Sequence, residues 1–218
     1  MTTFPLRVSK QVEVEIYRTP SHFAPLLWKL RNNFTNRFIL GWIAVHIIVP
    51  LIRSLHLPLM MAYGELSIMV RNGATGEWTD YGVVSRRVIT DAGVTFLRDD
   101  WNNNAQDYTT FNFHGIGTGT GAEATSDTAL GTESTTALNP DSTRATGTRS
   151  TPASNQWRSV GTLTADADIA VTEHGIFSQA ATWGGTLWDR SKFTAINLVG
   201  TSGDSIQVTY TCTLTSGG

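Results

Sequence analysis

From Tyr63 onward, apolar and polar residues alternate in short runs separated by clusters of Gly, Asn, Asp and Ser, the pattern of many closely spaced strands. Glu65 to Arg71 sets Leu66, Ile68 and Val70 against Glu65, Ser67, Met69 and Arg71. Asn72-Gly73-Ala74-Thr75-Gly76 supplies turn chemistry, and Trp78 to Ile89 reads as the returning strand. Further strands are predicted over Thr109 to Ile116, Gln156 to Thr164, Ile169 to Gln179, Thr186 to Leu198 and Ser205 to Thr215, about seven or eight in all. In the last of these Val208, Tyr210, Cys212 and Leu214 share one face, opposite Gln207, Thr209, Thr211 and Thr213. Cys212 therefore reads as a small core residue.

Three stretches depart from this period. Thr90-Asp91 caps one short helix, with Thr90 at the N-cap and Asp91 meeting the positive helix end; Val94, Leu97 and Trp101 would share its buried face, and the Asn102-Asn103-Asn104 run would end it. Gly117 to Pro152 is rich in Gly, Thr, Ala and Ser with few large apolar residues. Such a stretch predicts a long loop whose order depends on docking to a neighbour. The third is the N-terminal portion, where Phe38 to Ile52 is a continuous apolar run interrupted by Pro50 and closed by Arg53. Fifteen positions fall short of the roughly 20 residues that cross a bilayer, so no membrane span is expected. Residues 1–62 read as an arm docking on a neighbouring subunit, a first helix packed on the same core, or residues added by a start codon upstream of Met60-Met61. Residues 63–218 read as the folded domain.

Charge sharpens this division. Met1 to Met60 carries seven Lys or Arg against Glu13 and Glu15, a local +5, which leaves −7 for the remainder of a chain with net charge −2. The chain as a whole lacks the basic excess of a nucleic-acid binder, and no free nucleic acid is expected as a partner. Charged residues are 16% of the chain, below the usual quarter, which suits strand faces held against neighbours. A single cysteine rules out an intramolecular disulfide and a multi-cysteine zinc site.

Candidate chemistry is sparse. His114-Gly115-Ile116-Gly117-Thr118-Gly119-Thr120-Gly121 places glycines where backbone amides approach an anion, but it lacks the spacing and the following helix of a nucleotide loop. Asp99 and Asp100 fall at the helix end, and Asp166 and Asp168 share one side of a strand entry without calcium-loop spacing. His174, beside Glu173, has no G-x-S-x-G nucleophile to serve. Glu173 and Arg190 are expected to form a structural ion pair across neighbouring strands. Catalytic, cofactor and metal residues are not assigned, and the chain reads as no enzyme.

The segment Phe111 to Glu133, together with Gly82 to Val94, Thr143 to Gly147, Thr172 to Ser178, Leu187 to Arg190 and Gly203 to Tyr210, resembles a family of virion structural proteins from tailed bacteriophages. The likeness runs in order over about residues 63–218 and leaves residues 1–60 outside it. It implies a capsid decoration or cement protein, or a tail-associated one, found in the virion and in the host cytoplasm during assembly. The implied partners are further copies of itself, a trimer by likeness to decoration proteins, and the major capsid protein or other virion proteins. With the strand pattern it predicts an all-β, jelly-roll-like sandwich with one short helix and the long Gly/Thr/Ser-rich loop. Leu130, Leu138, Arg144, Trp183 and Trp188 are the candidate subunit contacts. Trp183 and Trp188 flank Gly184-Gly185 and also support the alternative, a fibre module that recognises host glycans.

Overall fold

The computed structural model describes residues 61–87, 89–103 and 107–215; the expected extension over residues 1–60 lies outside the described residues. β1 (Met61–Arg71) and β2 (Trp78–Arg87) form an antiparallel hairpin. Its turn is held locally, because the Asn72 Oδ1 accepts from the amides of Ala74 and Thr75 at 2.9 Å and Gly76 takes a positive φ of 77°. The helix α1 (Asp91–Asn103) follows. The remaining strands are β3 (Phe113–Gly117), β4 (Leu138–Asn139), β5 (Ala145–Thr146), β6 (Thr148–Ser150), β7 (Gln156–Ala165), β8 (Ile169–Phe177), β9 (Leu187–Leu198) and β10 (Ser205–Thr215).

These strands make two sheets. The first has the order β2-β1-β10-β7-β4, with β6 also pairing to β7; the second has the order β5-β3-β8-β9. The all-β sandwich with a single helix among the described residues is thus present. Between the sheets Leu66, Ile68, Ile206 and Val208 meet Val171, Ile196 and Leu198, all almost fully buried. Alternation places these residues inward because every second side chain on a strand shares a face. Both ends of the sandwich are tied. Ala145 to Ser150 pairs first with β3 and then with β7, changing sheets at Gly147. Past the end of β2, Ile89 bridges to Asp189 on β9.

The helix cap is as expected: Thr90 Oγ1 accepts from the Gly93 amide at 3.0 Å and donates to the Leu187 carbonyl at 2.6 Å. The helix face is not. Phe96 and Leu97 pack toward Ile89, Phe111 and Trp188, while Val94 and Trp101 remain 55% and 65% exposed. Gly93 decides this rotation, since a Cβ there would lie 3.0 Å from Trp188, so the helix lays its smallest residue against β9. The strand expected from Thr109 also starts later. Asp107 accepts from the amide and hydroxyl of Thr109 and winds Tyr108–Thr110 into a 3-10 turn before β3 begins.

The stretch from Gly117 to Pro152 corrects the expectation of a loop that waits for a neighbour. It contains β4 and β6, which pair with β7 in the first sheet, and β5, which pairs with β3 in the second, and its Gly119 to Thr132 part packs on Glu173, Phe177 and Leu187 of the second sheet. There Leu130, Phe177 and Leu187, with Phe113 beside them, form a separate small core. Few apolar side chains suffice because buried charges and backbone amides fasten the rest.

Candidate functional site

Two arginine–carboxylate clamps hold this covering layer. The glycine run beginning at Gly115 brings backbone against an anion, and the anion belongs to the chain itself. Glu173, fully buried on β8, accepts from the amides of Gly119 at 2.8 Å, Thr132 at 2.7 Å and Gly131 at 3.0 Å. A Cβ on Gly119 would collide with the Glu173 carboxylate, so only glycine admits it. The predicted partner closes the cluster: Arg190 donates to Glu173 at 2.7 Å and to Asp127 at 2.9 Å. Burial alone would raise the Glu173 pKa; the amides of Thr132 and Gly131 and the Arg190 guanidinium outweigh it and hold the carboxyl below its ordinary range.

The second clamp centres on Arg144, which is 3% exposed. Its Nε and Nη2 donate to the two oxygens of Glu133 at 2.6 and 2.9 Å, a bidentate geometry only a planar fork provides. Its Nη1 donates to the carbonyls of Gly184 at 2.7 Å and Gln179 at 2.9 Å, and the guanidinium lies 3.4 Å over the Phe177 ring. Arg144 thereby fixes the turn between β8 and β9. Thr182 binds the Ser142 carbonyl through both its amide and its hydroxyl, and Thr143 bridges to Ala181. At this junction sit Ser142 and Trp183, the two non-glycine residues at positive φ among the described residues, at 53° and 67°. Left-handed backbone is a genuine strain for a bulky residue. Trp183 is nevertheless 81% exposed.

A third polar group lies between the sheets. The His114 Nδ1 is 2.9 Å from the His174 Nε2, and the His114 Nε2 is 2.8 Å from the Ser159 Oγ. Tyr210 stacks on His174, and its hydroxyl accepts from the Trp188 Nε1 at 3.1 Å. Serine beside histidine has the look of an activated nucleophile, but Ser159, His114 and His174 are each 0% exposed, so no substrate reaches Oγ. Burial drives His114 down to about 3 and, with the neighbouring His114, takes His174 well below its ordinary value. Both imidazoles are neutral at pH 7. With His174 donating to His114 and His114 donating to Ser159, the atom without a hydrogen-bond partner, His174 Nδ1, is a bare acceptor and not a stranded N–H. Gly147 and Gly161 line the His114 ring, and a Cβ on Gly147 would strike Ser159.

The five predicted contact residues therefore part company. Leu130, Leu138, Arg144 and Trp188 are buried within their own chain, at 8, 4, 3 and 4% exposure, because each closes a core or a clamp there. They are corrected from subunit contacts to internal ones; Trp183 alone of the five stays outside. Residues the sequence did not single out are Glu133 and Asp127, which answer the two arginines; Val94 and Trp101, expected on the buried face of the helix, turn outward instead. The helical glycine Gly93 was the available signal for the latter pair. Among the described residues no group of three or more His, Cys, Asp or Glu converges to hold a metal, and no helix is long and apolar enough to cross a membrane. Asp166 is exposed, and Asp168 accepts from the Gly200 amide at 2.9 Å. Comparison with protein-family models, curated proteins and solved structures gives no match.

Proposed function

We propose that the chain is a non-enzymatic structural component of a tailed-phage particle. Within that class we favour a capsid decoration or cement protein that works through self-association, as a trimer, and through contact with the major capsid protein. The resemblance over residues 63–218 motivates this reading, and it carries the finer jelly-roll assignment with it.

The observation that carries it physically is the outward face of α1. Val94 and Trp101 stand seven residues apart on one side of the helix, 55% and 65% exposed, and Tyr108 just beyond is 48% exposed. Helix positions seven apart lie nearly in line. A helix fastened to the sheet by Phe96 and Leu97 that turns valine and tryptophan to water, with the exposed Arg98 between them, presents the mix of aromatic, aliphatic and arginine side chains that protein contacts favour. Rigid presentation also limits the ordering that association would otherwise require.

The test is binding of the purified protein to capsids assembled without it, with light scattering for its own oligomeric state. Trp101→Asp and Val94→Asp are expected to weaken capsid binding or oligomerisation at least about tenfold. Their melting temperatures should stay within a few degrees of the parent, since the altered side chains are outside the core. A compact monomer at high concentration that ignores capsids would sink the proposal.

A further inference from the structure

We infer that Trp183 is a saccharide-binding platform, a site separate from the α1 face and independent of the particle reading. Trp183 holds φ at 67°, where tryptophan is strained, and Gly185 next but one holds 75°. Glycine at position 183 would occupy this backbone freely. The bulky side chain is not there to fill a gap, because 81% of it is exposed. A strained residue that packs little of itself away has its use outside the molecule.

The surrounding structure prevents relaxation. Arg144 grips the Gly184 and Gln179 carbonyls from beneath, itself locked by Glu133 and seated on Phe177. Ser178 and Thr186 close the base of the turn, each amide bonding to the other residue at 3.0 and 2.9 Å. Thr182 ties the flank to Ser142. The indole is carried on a turn whose backbone is set before any ligand arrives, the arrangement that keeps binding losses small.

Chemistry selects the ligand class. The two loops that meet here, residues 140–143 and 179–186, supply Asp141, Thr143 and Gln179, all exposed, with Ser142 and Thr182 joined by hydrogen bonds between them. Apart from Trp183, their apolar members are Pro140, Ala180 and Ala181. A protein-binding anchor works within a desolvated ring of packed neighbours, and this turn provides none. One exposed aromatic face on loops that also carry hydroxyl, amide and carboxylate groups matches a sugar ring, whose C–H face stacks while its rim hydroxyls seek donors and acceptors.

The experiment is to apply the full-length protein to an array of defined α- and β-linked hexose and N-acetylhexosamine oligosaccharides. The best-retained member is then titrated against the parent, Trp183→Phe, Trp183→Ala and Trp183→Gly by calorimetry. At least one oligosaccharide should be retained, with affinity reduced severalfold by Trp183→Phe and about tenfold or more by the other two. Trp183→Gly should also melt about 2–4 °C higher than the parent, because the strain goes while no buried contact is lost. That combination, binding lost and stability gained, separates a ligand platform from a structural tryptophan. Absence of any retained saccharide, equal binding by Trp183→Ala, or a lower melting temperature for Trp183→Gly would each overturn the inference. So would a Trp183→Ala variant that loses self-association instead.

Discussion

His114 and His174 show how burial converts two ordinary side chains into an acid-sensitive joint. In the unfolded chain both titrate near 6.5, whereas in the fold His114 sits at about 3 and His174 well below its ordinary value. Between those limits the unfolded chain binds protons that the folded chain refuses. Stability is therefore lost as the pH falls from about 6.5 toward 3, and above 6.5 the pair contributes no pH dependence. The groups that face them, Ser159 and Tyr210, do not titrate in this window, since burial raises Tyr210 well above its ordinary value. Each histidine contributes a slope approaching about 1.4 kcal/mol per pH unit, so the pair approaches roughly 2.7. Calorimetric melting at pH 7, 6 and 5 is expected to show a steep fall below 6.5, with an uptake of nearly two protons from this pair on unfolding at pH 5. Melting temperatures that are flat from pH 7 to 5 would contradict the buried neutral pair. Below about 4.5 Glu173 adds in the same direction, because its folded pKa is depressed: its stabilisation is fully present above the unfolded value and is lost as the pH falls from there toward the folded one.

The covering segment from Gly117 to Pro152 is ordered by polar contacts in place of apolar ones. Its amides at Gly119, Gly131 and Thr132 end on one buried carboxylate, and the Arg144 amide donates to the Ala180 carbonyl at 2.7 Å. Hydrogen exchange on the isolated protein should find these four amides protected to nearly the level of β3 and β8. Exchange at free-chain rates, with protection gained only on assembly, would restore the docking-loop picture drawn from composition. Glu173→Gln in the same experiment should release the Gly119 and Thr132 amides first, since it removes the charge that both amides and Arg190 share.

Sheets linked at both corners cannot part without breaking strands, because Ala145 to Ser150 crosses between them at one side and the Ile89–Asp189 bridge joins them at the other. Unfolding of the described region is accordingly expected to be concerted. Cys212, the chain's one cysteine, reports on this directly. It is fully buried on β10, between β1 and β7, and burial, with Asp189 nearby, pushes its thiol up to about 12. A thiol reagent at pH 8 should leave the native protein unlabelled for hours and react at once in denaturant. The opening free energy from slow native labelling should equal the unfolding free energy from a denaturant titration. Labelling within minutes under native conditions would mean that β10 opens locally and that the corners do not hold.

Where side-chain period alone decides the outcome, the amino-acid order was sufficient. Alternation in Glu65 to Arg71 and Ser205 to Thr215 determined two core strands and the burial of Cys212, and the Asn72 turn and Thr90 cap are local events within a few residues. The Glu173–Arg190 pair was also legible, since charges on adjacent strands need only the right register. What depends on distant segments was not. Gly93 meets Trp188 across 95 positions of sequence and turns α1 so that Val94 and Trp101 face out. Glu133 and Asp127 lie in a stretch whose composition reads as loop, and only the approach of Arg144 and Arg190 makes them clamps. The strain at Trp183 likewise belongs to the fold: a tryptophan before two glycines has no preference for positive φ, and the turn that holds it there is bound by Arg144, drawn from another part of the chain.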